Sequence, residues 1–314
     1  MKLNSVNVQN SKFRLGFDGG GTNTRAVVVN AELQVLGRGE SGASNPYAVG
    51  MDAALANIEA AAEIALRAAN LTRDQIGGWG LGLGGVCSPH ESAAVEAALR
   101  ARVGAGPQIV AVEDVVATWQ GAFGTSNENG PRAICIAGTG VGCWGKNGRG
   151  EVVQADGAGP LLGDRGSGYW IGERALRHAA RVCDGVAQRD DLAAAVLAYF
   201  GADDLKALIR IVYAPTFERS RVAELVPIVL RHANQESARA ILQGAGRELA
   251  ATSLAVLKRL SEGEIGGEVA LIGGVLAHAA PVKAAFVEML RDCAPGVRLV
   301  AARFEPALGA ALLV

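Results

Sequence analysis

The stretch FRLGFDGGGTNTRAVVVN, residues 13–30, constrains the fold more than any other part of the chain. It places three successive glycines and two threonines between two short apolar runs. Such runs predict two strands, and the glycines between them predict a tight hairpin. Because glycine has no Cβ and permits positive φ, several backbone N–H groups can converge there on one anion. The stretch therefore predicts a phosphate-binding hairpin, with an ordinary glycine turn as the alternative.

A second hairpin of the same type follows about 120 residues later. In AICIAGTGVGCWG, residues 133–145, an apolar strand again runs into Gly, Thr and Gly before a second strand. Two such hairpins predict a cleft between two related domains, where a nucleotide is shielded from water during phosphoryl transfer. Chance is the alternative, because the chain contains 42 glycines.

The order of strand-like and helix-like segments predicts an α/β fold with mixed sheets and two domains. Residues 13 to about 150 alternate β-branched runs with Ala-rich helical stretches. Residues 166 to about 262 read as a helical block, which includes a helix over 219–232, before strands return at EVALIGG and VRLVAAR. We predict an N-terminal domain over 13–117, a larger C-terminal domain over 118–303 that carries the helical block, and a loose end over 1–12.

Composition excludes several classes of partner. The net charge is −1, with 30 basic and 31 acidic residues, so nothing favours nucleic acid or an acidic membrane surface. No window of about 18 residues is apolar enough to span a bilayer. The 5 cysteines form no CxxC pair and no leader opens the chain. These features predict a cytoplasmic protein in which the thiols are packing groups.

Two aspartates stand where strands are predicted to end. Asp18 closes the first strand, where it can hold Mg²⁺ through water, while the Thr22 and Thr24 hydroxyls donate to phosphate. Asp114 follows the apolar run QIVAVE and opens a helix. A carboxylate at that point can accept the proton of an attacking hydroxyl, and helix capping is the alternative.

Paired glycines also occur in EVALIGGVLAHAAP, residues 268–281. An apolar strand there meets Gly273 and Gly274 and then a helical run. Bare backbone at this point would let a flat adenine ring lie against it, and a common strand-to-helix turn is the alternative.

The motifs FDGGGTNTR, IAGTG, GPLLGDRGSGYWIG and LIGG, with the segment around Asp114, resemble the N-acetylglucosamine kinase branch of the actin, hexokinase and heat-shock chaperone superfamily. That branch also contains bacterial glucosamine kinases and the ATPases that activate benzoyl-CoA-type reductases. The resemblance runs from Phe13 to PALGAAL near the end. It implies two ribonuclease H-like domains around a nucleotide cleft, with the last helix, about 304–314, returning to the first domain.

The resemblance also implies an activity. It is that of a homodimeric kinase that uses ATP and Mg²⁺ to phosphorylate the 6-hydroxyl of an amino sugar, N-acetylglucosamine or glucosamine. Asp18 would position Mg²⁺ through water, and Asp114 would be the catalytic base. The implied sugar-binding residues are Asn45, Asp114, Thr139, Gly140 and Asp164. The implied ATP-binding residues are Gly19, Gly20, Gly21, Thr22, Asn23, Thr24, Gly138, Thr139, Gly140, Gly273 and Gly274.

Three positions depart from the family pattern. Arg165 stands where the family usually has an acid in DEGS, Ala158 stands where it commonly has the Trp of GWG, and Glu113 stands where Asn is frequent. We hypothesise that Arg165 admits a substrate with an acidic substituent, with a surface arginine as the alternative. The Ala158 change removes a ring that would stack on the sugar. Glu113 would raise the pKa of Asp114 if it faced inward.

Motifs of other nucleotide-binding and hydrolytic proteins are either absent from the chain or poorly placed in it. GLGLGG, residues 80–85, and GVGCWG, residues 140–145, satisfy GxGxxG, but neither opens a helix directly as a dinucleotide site requires. The motifs GxxxxGK[ST] and GxSxG are absent. Two alternatives stay open: an ATP-driven electron-transfer activator, which needs thiolates for an iron–sulfur cluster, and a non-catalytic nucleotide sensor.

Overall fold

The computed structural model describes residues 13–124 and 130–314. The chain divides into two compact units: unit 1 comprises residues up to 127 together with 302–314, and unit 2 comprises residues 128–301. The predicted loose end, residues 1–12, lies outside the described residues. No helix in the described part of the chain is long and apolar enough to cross a membrane.

Unit 1 is built on a five-stranded sheet flanked by helices. Its elements are β1 (Phe13–Gly19), β2 (Asn23–Val29), β3 (Val35–Gly42), α1 (Pro46–Val49), α2 (Met51–Ala69), β4 (Ile76–Leu83), α3 (Pro89–Val103), β5 (Gln108–Glu113) and α4 (Asp114–Phe123). A short 3₁₀ turn precedes β4. The strand order is β3-β2-β1-β4-β5, in which β1, β2 and β3 are antiparallel neighbours while β4 and β5 run parallel to β1.

Unit 2 has a second five-stranded sheet with a long helical block between its third and fourth strands. Its elements are β6 (Arg132–Ala137), β7 (Val141–Lys146), β8 (Val152–Asp156), α5 (Gly159–Leu162), α6 (Gly168–Cys183), α7 (Asp191–Phe200), α8 (Leu205–Val212), α9 (Ser220–Ala223), α10 (Val226–Arg231), α11 (Glu236–Leu260), β9 (Gly266–Ile272), α12 (Gly274–His278), α13 (Ala280–Cys293) and β10 (Gly296–Val300). The chain then enters α14 (Pro306–Ala311), which belongs to unit 1.

The two sheets have the same topology. The order in unit 2 is β10-β9-β6-β7-β8, in which β6, β7 and β8 are antiparallel neighbours and β9 and β10 run parallel to the β6 direction. Each glycine-rich motif forms the turn of the first hairpin of its sheet. The prediction of an α/β fold with two domains, mixed sheets and a helical insertion in the second is confirmed.

A buried core holds the strands of unit 1 in place. Leu15 and Phe17 of β1 are fully buried, and the Phe17 ring stacks on Trp79 of β4 with 5.4 Å between ring centroids. On α2, the buried Leu55 and Ile58 lie three residues apart and so share one helix face. This core fixes the strand ends that carry the site residues.

The helical block departs from prediction in one place. Residues 219–232 form two short helices, α9 and α10, rather than one helix. Pro227 lies in the first turn of α10. Because proline lacks an N–H and clashes with the preceding turn, it can begin a helix but not continue one.

The boundary of the first domain also differs from prediction, because residue 117 lies inside α4. Unit 1 includes the whole of α4, since α4 packs on α14 through glycine. A Cβ on Gly309 would lie 2.1 Å from the Ala117 carbonyl oxygen, and a Cβ on Gly121 would lie 2.9 Å from the Glu305 carbonyl oxygen. The two helices are therefore in backbone contact, which fixes α4 in unit 1.

We expect Gly80→Ala to destabilise unit 1, because its Cβ would lie 1.9 Å from the Ala310 carbonyl oxygen of α14. Backbone cannot yield as a flexible side chain does, so the free energy of unfolding should fall by about 2–3 kcal/mol. Urea denaturation measures it. Gly106→Ala is the matched control, since no heavy atom lies within 4 Å of its Cβ position. Equal stability of the two variants would contradict the packing of α14.

Candidate active site

The carboxyl ends of three parallel strands bring two aspartates to one edge of the unit 1 sheet. Asp18 of β1 pairs with Gly82 of β4, which pairs in turn with Val112 of β5. Asp114 begins α4 directly after β5. Asp18 and Asp114 therefore lie at the sheet edge where α/β proteins bind ligands.

Burial shapes the titration of both carboxylates. It raises the pKa of Asp114, which the Val115 backbone N–H opposes. Burial also raises the pKa of Asp18; Arg25 opposes this, and the charge of Asp114 adds to it. The predicted effect of Glu113 on Asp114 is not seen. Burial, not the charge of Glu113, raises the pKa of Asp114. The pKa of Glu113 is raised mainly by burial and to a smaller extent by the charge of Asp114.

The Asp114 carboxylate and the side-chain amide of Asn45 both lie near Gly84. A Cβ on Gly84 would lie 3.4 Å from Asp114 Oδ2 and 3.7 Å from Asn45 Nδ2, so both atoms border the space beside Gly84. An acceptor and a donor placed in this way can bind adjacent hydroxyl groups of a polyol.

Asn45 is oriented by its role as the N-cap of α1. Its Oδ1 accepts hydrogen bonds from the N–H groups of Tyr47 and Ala48, at 2.9 and 3.3 Å. Gly85, at φ +84°, passes so close that a Cβ would lie 2.4 Å from Asn45 Oδ1. Among the described residues the Nδ2 group has no hydrogen-bond acceptor, which leaves its donors for a ligand.

The first hairpin turn presents bare backbone. Gly20 N–H donates to the Asn23 carbonyl at 3.0 Å, whereas the N–H groups of Gly21 and Thr22 find no acceptor within 13–124 and 130–314. Gly20 and Gly21 have no positive φ, and no heavy atom lies within 4 Å of either Cβ position. Neither backbone geometry nor packing accounts for these glycines, and their bare backbone leaves room for the close approach of an oxyanion.

Three of the predicted ATP-binding residues in this hairpin make contacts within the fold. Thr24 is fully buried and its hydroxyl donates to the Gly42 carbonyl at 2.7 Å, so the prediction that it donates to phosphate is wrong. The Asn23 amide donates to Glu40 at 2.6 Å. Gly19 is a strand residue whose Cβ would lie 2.0 Å from Ser44 Oγ, so packing requires its glycine.

The second hairpin turn repeats the first. Gly138 N–H donates across the turn to the Gly140 carbonyl at 3.0 Å, and no heavy atom lies within 4 Å of the Gly138 Cβ position. The N–H groups of Thr139 and Gly140 have no acceptor in the described part of the chain. The first turn of α6 holds the hairpin, since Gly168 N–H donates to the Gly138 carbonyl at 2.8 Å and Tyr169 N–H donates to the Thr139 carbonyl at 3.1 Å.

Asp164 lies directly against this turn. It is 9% exposed, and its Oδ1 accepts a hydrogen bond from Val141 N–H at 2.9 Å. A Cβ on Gly140 would lie 2.9 Å from the same oxygen, so packing of Asp164 requires glycine there. No described residue donates to Asp164 Oδ2, which leaves that oxygen for a ligand hydroxyl.

The paired glycines after β9 differ in their roles. Gly273 has φ +100° and its Cβ would lie 2.4 Å from the Ala137 carbonyl oxygen, so the fold itself requires glycine there. Gly274 begins α12 with open space at its Cβ position. The pair thus lies beside the residue that precedes the second hairpin turn, and Gly274 is the more exposed of the two.

The residues present fit ATP and Mg²⁺. Among the described residues no group of three or more His, Cys, Asp or Glu side chains forms a metal site. Mg²⁺ usually takes only one or two carboxylates and completes its shell with phosphate oxygens and water. The carboxylate of Asp18, at the edge that carries a bare hairpin, matches that donor set.

The prediction that the cysteines are buried packing groups is wrong for Cys87, Cys183 and Cys293, which are exposed. Cys135 and Cys143 are buried, and burial raises the pKa of Cys135 to about 12. A cluster that bridges two subunits needs accessible thiolates, which these two buried cysteines do not supply.

The GxGxxG matches are also accounted for by the fold. GLGLGG runs along β4 into the turn at Gly85, and the next helix begins only at Pro89. GVGCWG falls on the second turn and β7. Neither lies at the start of a helix, which a dinucleotide fingerprint requires.

Two of the departures from the family pattern lie on the loop between β8 and α6. Arg165 and Ala158 are exposed. Arg165 N–H donates to Asp156 Oδ2 at 3.2 Å, and its guanidinium donates to the Leu162 carbonyl at 3.4 Å. Leu161 and Leu162 are 91% and 74% exposed, so this loop presents apolar surface as well as a positive charge.

Comparison with known proteins confirms the resemblance over nearly the whole chain. Residues 15–314 match the BadF/BadG/BcrA/BcrD ATPase family. An N-acetyl-D-glucosamine kinase of Dictyostelium discoideum is 29% identical over 311 residues, which cover 95% of this chain and 96% of that protein. An N-acetylmuramic acid/N-acetylglucosamine kinase of Clostridium acetobutylicum is 24% identical over 304 residues, which cover 96% of this chain and 98% of that protein.

A solved structure shares the fold. It comes from Chromobacterium violaceum and is assigned provisionally as an N-acetylglucosamine kinase. It is 27% identical, has a TM-score of 0.76, and the match covers 96% of this chain and 98% of that one.

Proposed function

The chain belongs to the BadF/BadG/BcrA/BcrD ATPase family, and from that premise we propose that it is an ATP-dependent kinase that phosphorylates the 6-hydroxyl of an amino sugar. N-acetylglucosamine is the proposed preferred substrate, and glucosamine is the alternative. The kinases of Dictyostelium discoideum and Clostridium acetobutylicum support the substrate class, since both names include N-acetylglucosamine and both proteins match over nearly their full length.

The observation that carries the proposal is that Asp114 Oδ2 and Asn45 Nδ2 border the same space beside Gly84. In the proposed mechanism the Asn45 amide donates to a ring hydroxyl and so orients the sugar. Asp114 accepts the proton of the 6-hydroxyl as that oxygen attacks the terminal phosphorus of ATP. The new oxygen–phosphorus bond forms as the bond to the bridging oxygen breaks, and ADP leaves.

The bare turns serve the nucleotide in this proposal. The N–H groups of Gly21 and Thr22 in unit 1, and of Thr139 and Gly140 in unit 2, are the proposed donors to phosphate oxygens. Asp18 would hold Mg²⁺ through water, and the ion supplies charge neutralisation on the transferring phosphoryl group. In unit 2, Asp164 Oδ2 is the proposed acceptor for a sugar hydroxyl, and Gly273 and Gly274 are the proposed adenosine contacts.

The wider proposal includes Mg²⁺ as the metal, a homodimer and a cytoplasmic location. Support for these three comes from the family resemblance. We also propose that the partner is a small molecule rather than nucleic acid or a membrane, in keeping with the net charge of −1. Light scattering on purified protein tests the dimer.

A coupled ADP-release assay tests the function. It uses ATP, Mg²⁺ and a panel of hexoses, hexosamines and acidic amino sugars. Sugar-dependent ADP release, highest with N-acetylglucosamine, is expected. ATP hydrolysis that no sugar stimulates would contradict the proposal and favour a nucleotide sensor, and a broad absorption near 400 nm in anaerobic preparations would favour the reductase activator.

A second candidate substrate is an acidic amino sugar such as N-acetylmuramic acid. The positively charged Arg165 follows Asp164 directly, and the Clostridium acetobutylicum relative is named for both sugars. We expect Arg165→Ala to lower kcat/KM for the acidic sugar about tenfold, as for one lost charged contact, and to spare N-acetylglucosamine. An equal effect on both sugars would remove this candidate.

Gly21→Ala tests the phosphate role of the first turn. Its Cβ would enter open space at an ordinary φ, so the fold should tolerate it. The same methyl group would stand where phosphate approaches, so KM for ATP should rise about tenfold while the melting temperature stays unchanged. Gly106→Ala, also open, is the control. An unchanged KM for ATP would show that no phosphate binds at this turn.

A further inference from the structure

Asp156, the last residue of β8, adopts an unusual backbone conformation. It pairs with Gly142 of β7 and has φ +64°, in the left-handed region that favours glycine. Non-glycine residues persist there when their surroundings over-determine the conformation, often at functional sites. No role for Asp156 follows from the family motifs.

The Asp156 side chain explains why the conformation is kept. Its Oδ1 accepts hydrogen bonds from the N–H groups of Gly157 at 2.8 Å and Asp164 at 2.5 Å, and its Oδ2 accepts one from Arg165 N–H at 3.2 Å. A Cβ on Gly163 would lie 2.2 Å from Oδ1, so glycine is required for this approach. One carboxylate thus closes the whole loop from residue 157 to residue 165.

The loop closure acts on Asp164, which is itself in the left-handed region at φ +57°. Three hydrogen bonds hold Asp164. Its N–H donates to Asp156, its Oδ1 accepts from Val141 N–H, and its carbonyl accepts from Ser167 N–H at 3.1 Å. Ser167 in turn caps α6 through Trp170 N–H. These bonds leave Asp164 Oδ2 as the oxygen without a donor among the described residues.

We propose that Asp156 is a positioning residue for the sugar: its carboxylate fixes the backbone of Asp164 so that Asp164 Oδ2 is presented to a ring hydroxyl. This inference rests on the proposed function. The same carboxylate would also fix the backbone of the adjoining Arg165, because Arg165 N–H donates to it.

Three variants separate the carboxylate from the backbone strain. Asp156→Gly keeps the left-handed conformation and removes the acceptor, whereas Asp156→Asn keeps Oδ1 as an acceptor and tolerates positive φ. Asn70→Gly is the matched control, because Asn70 is another left-handed residue, at φ +54°, at the end of α2.

The experiment measures KM for N-acetylglucosamine, KM for ATP and hydrogen exchange of peptides that cover 157–170. For Asp156→Gly we expect the sugar KM to rise about tenfold, the ATP KM to stay within about twofold, and exchange of the 157–170 peptides to increase. Asp156→Asn should have a sugar KM close to that of wild type. Asn70→Gly should match wild type in sugar KM, ATP KM and hydrogen exchange.

The outcomes are distinguishable from failure of the proposed function. If the wild type phosphorylates the sugar and Asp156→Gly has the wild-type KM for N-acetylglucosamine, the positioning role is overturned, even if hydrogen exchange has increased. An equal rise in both KM values would also overturn it, since that is the signature of general loosening. If the wild type turns over no amino sugar, the proposed function and this inference fall together.

Discussion

Asp114→Asn should lower kcat about 10²–10⁴-fold, the range for loss of a general base, and leave KM for the sugar and ATP within a few-fold. The amide retains the shape and the place at the start of α4 but cannot accept the proton of the attacking hydroxyl. Stopped assays with N-acetylglucosamine measure the rate. Glu113→Gln is the matched control, because Glu113 is the neighbouring carboxylate and has no proposed contact with the hydroxyl; it should retain most activity.

The loss of activity should come without loss of stability. Burial raises the pKa of Asp114 above its ordinary value of 3.8, so the folded state binds the proton more tightly than the unfolded chain does. Ionised Asp114 therefore destabilises the folded state as pH rises through its folded pKa, and this effect is absent below the unfolded pKa. At pH 7 the melting temperature of Asp114→Asn should equal or exceed that of wild type. A large fall in melting temperature would show a structural role instead.

Asp18→Asn should lower kcat by about 10²-fold, because the ionised side chain would hold the Mg²⁺ that neutralises the transferring phosphoryl group. The amide keeps the volume of Asp18 at the end of β1 but loses its charge. The measurement is kcat as a function of free Mg²⁺, and the variant should need a higher concentration to reach its lower plateau.

Glu40→Gln is the control for Asp18→Asn. Glu40 lies on β3, near the same turn, and holds the Asn23 amide rather than a proposed metal. It should show the Mg²⁺ dependence of wild type. An Asp18→Asn enzyme with the wild-type plateau and the wild-type Mg²⁺ requirement would remove Asp18 from the metal site.

The sequence predicted the hairpins because their signal is local. Glycine, threonine and flanking β-branched residues within 13–30 and 133–145 determine each turn, and the same local pattern repeats in both units. It did not predict that α4 belongs with unit 1, because that depends on backbone contact between Gly121 and Gly309, which are far apart in the chain.

The site was predictable where a residue acts from the end of a strand. Asp18 and Asp114 follow apolar runs, and parallel pairing brings them to one edge. The prediction for Thr24 is wrong because its partner, the Gly42 carbonyl, belongs to another strand that the local pattern does not reveal. Gly84 was missed, although a glycine pair after a buried strand at this edge is the signal that would have indicated it.

Asp156 was missed for a different reason. Its importance lies in a left-handed φ and in hydrogen bonds to N–H groups up to nine positions away, neither of which a motif records. The grip of both hairpins on one nucleotide stays a prediction, as do the roles of Asn45 and Asp164 toward the sugar.

The central claim is that the γ-phosphate of ATP is transferred to O6 of an amino sugar. The most direct measurement is phosphorus–proton correlation NMR of the product formed from N-acetylglucosamine and ATP. We predict one new phosphate monoester whose phosphorus couples to the protons on C6, in amounts equal to the ADP released and formed about 10²–10⁴-fold more slowly with Asp114→Asn. Inorganic phosphate as the product, or a phosphate on O1, would contradict the account.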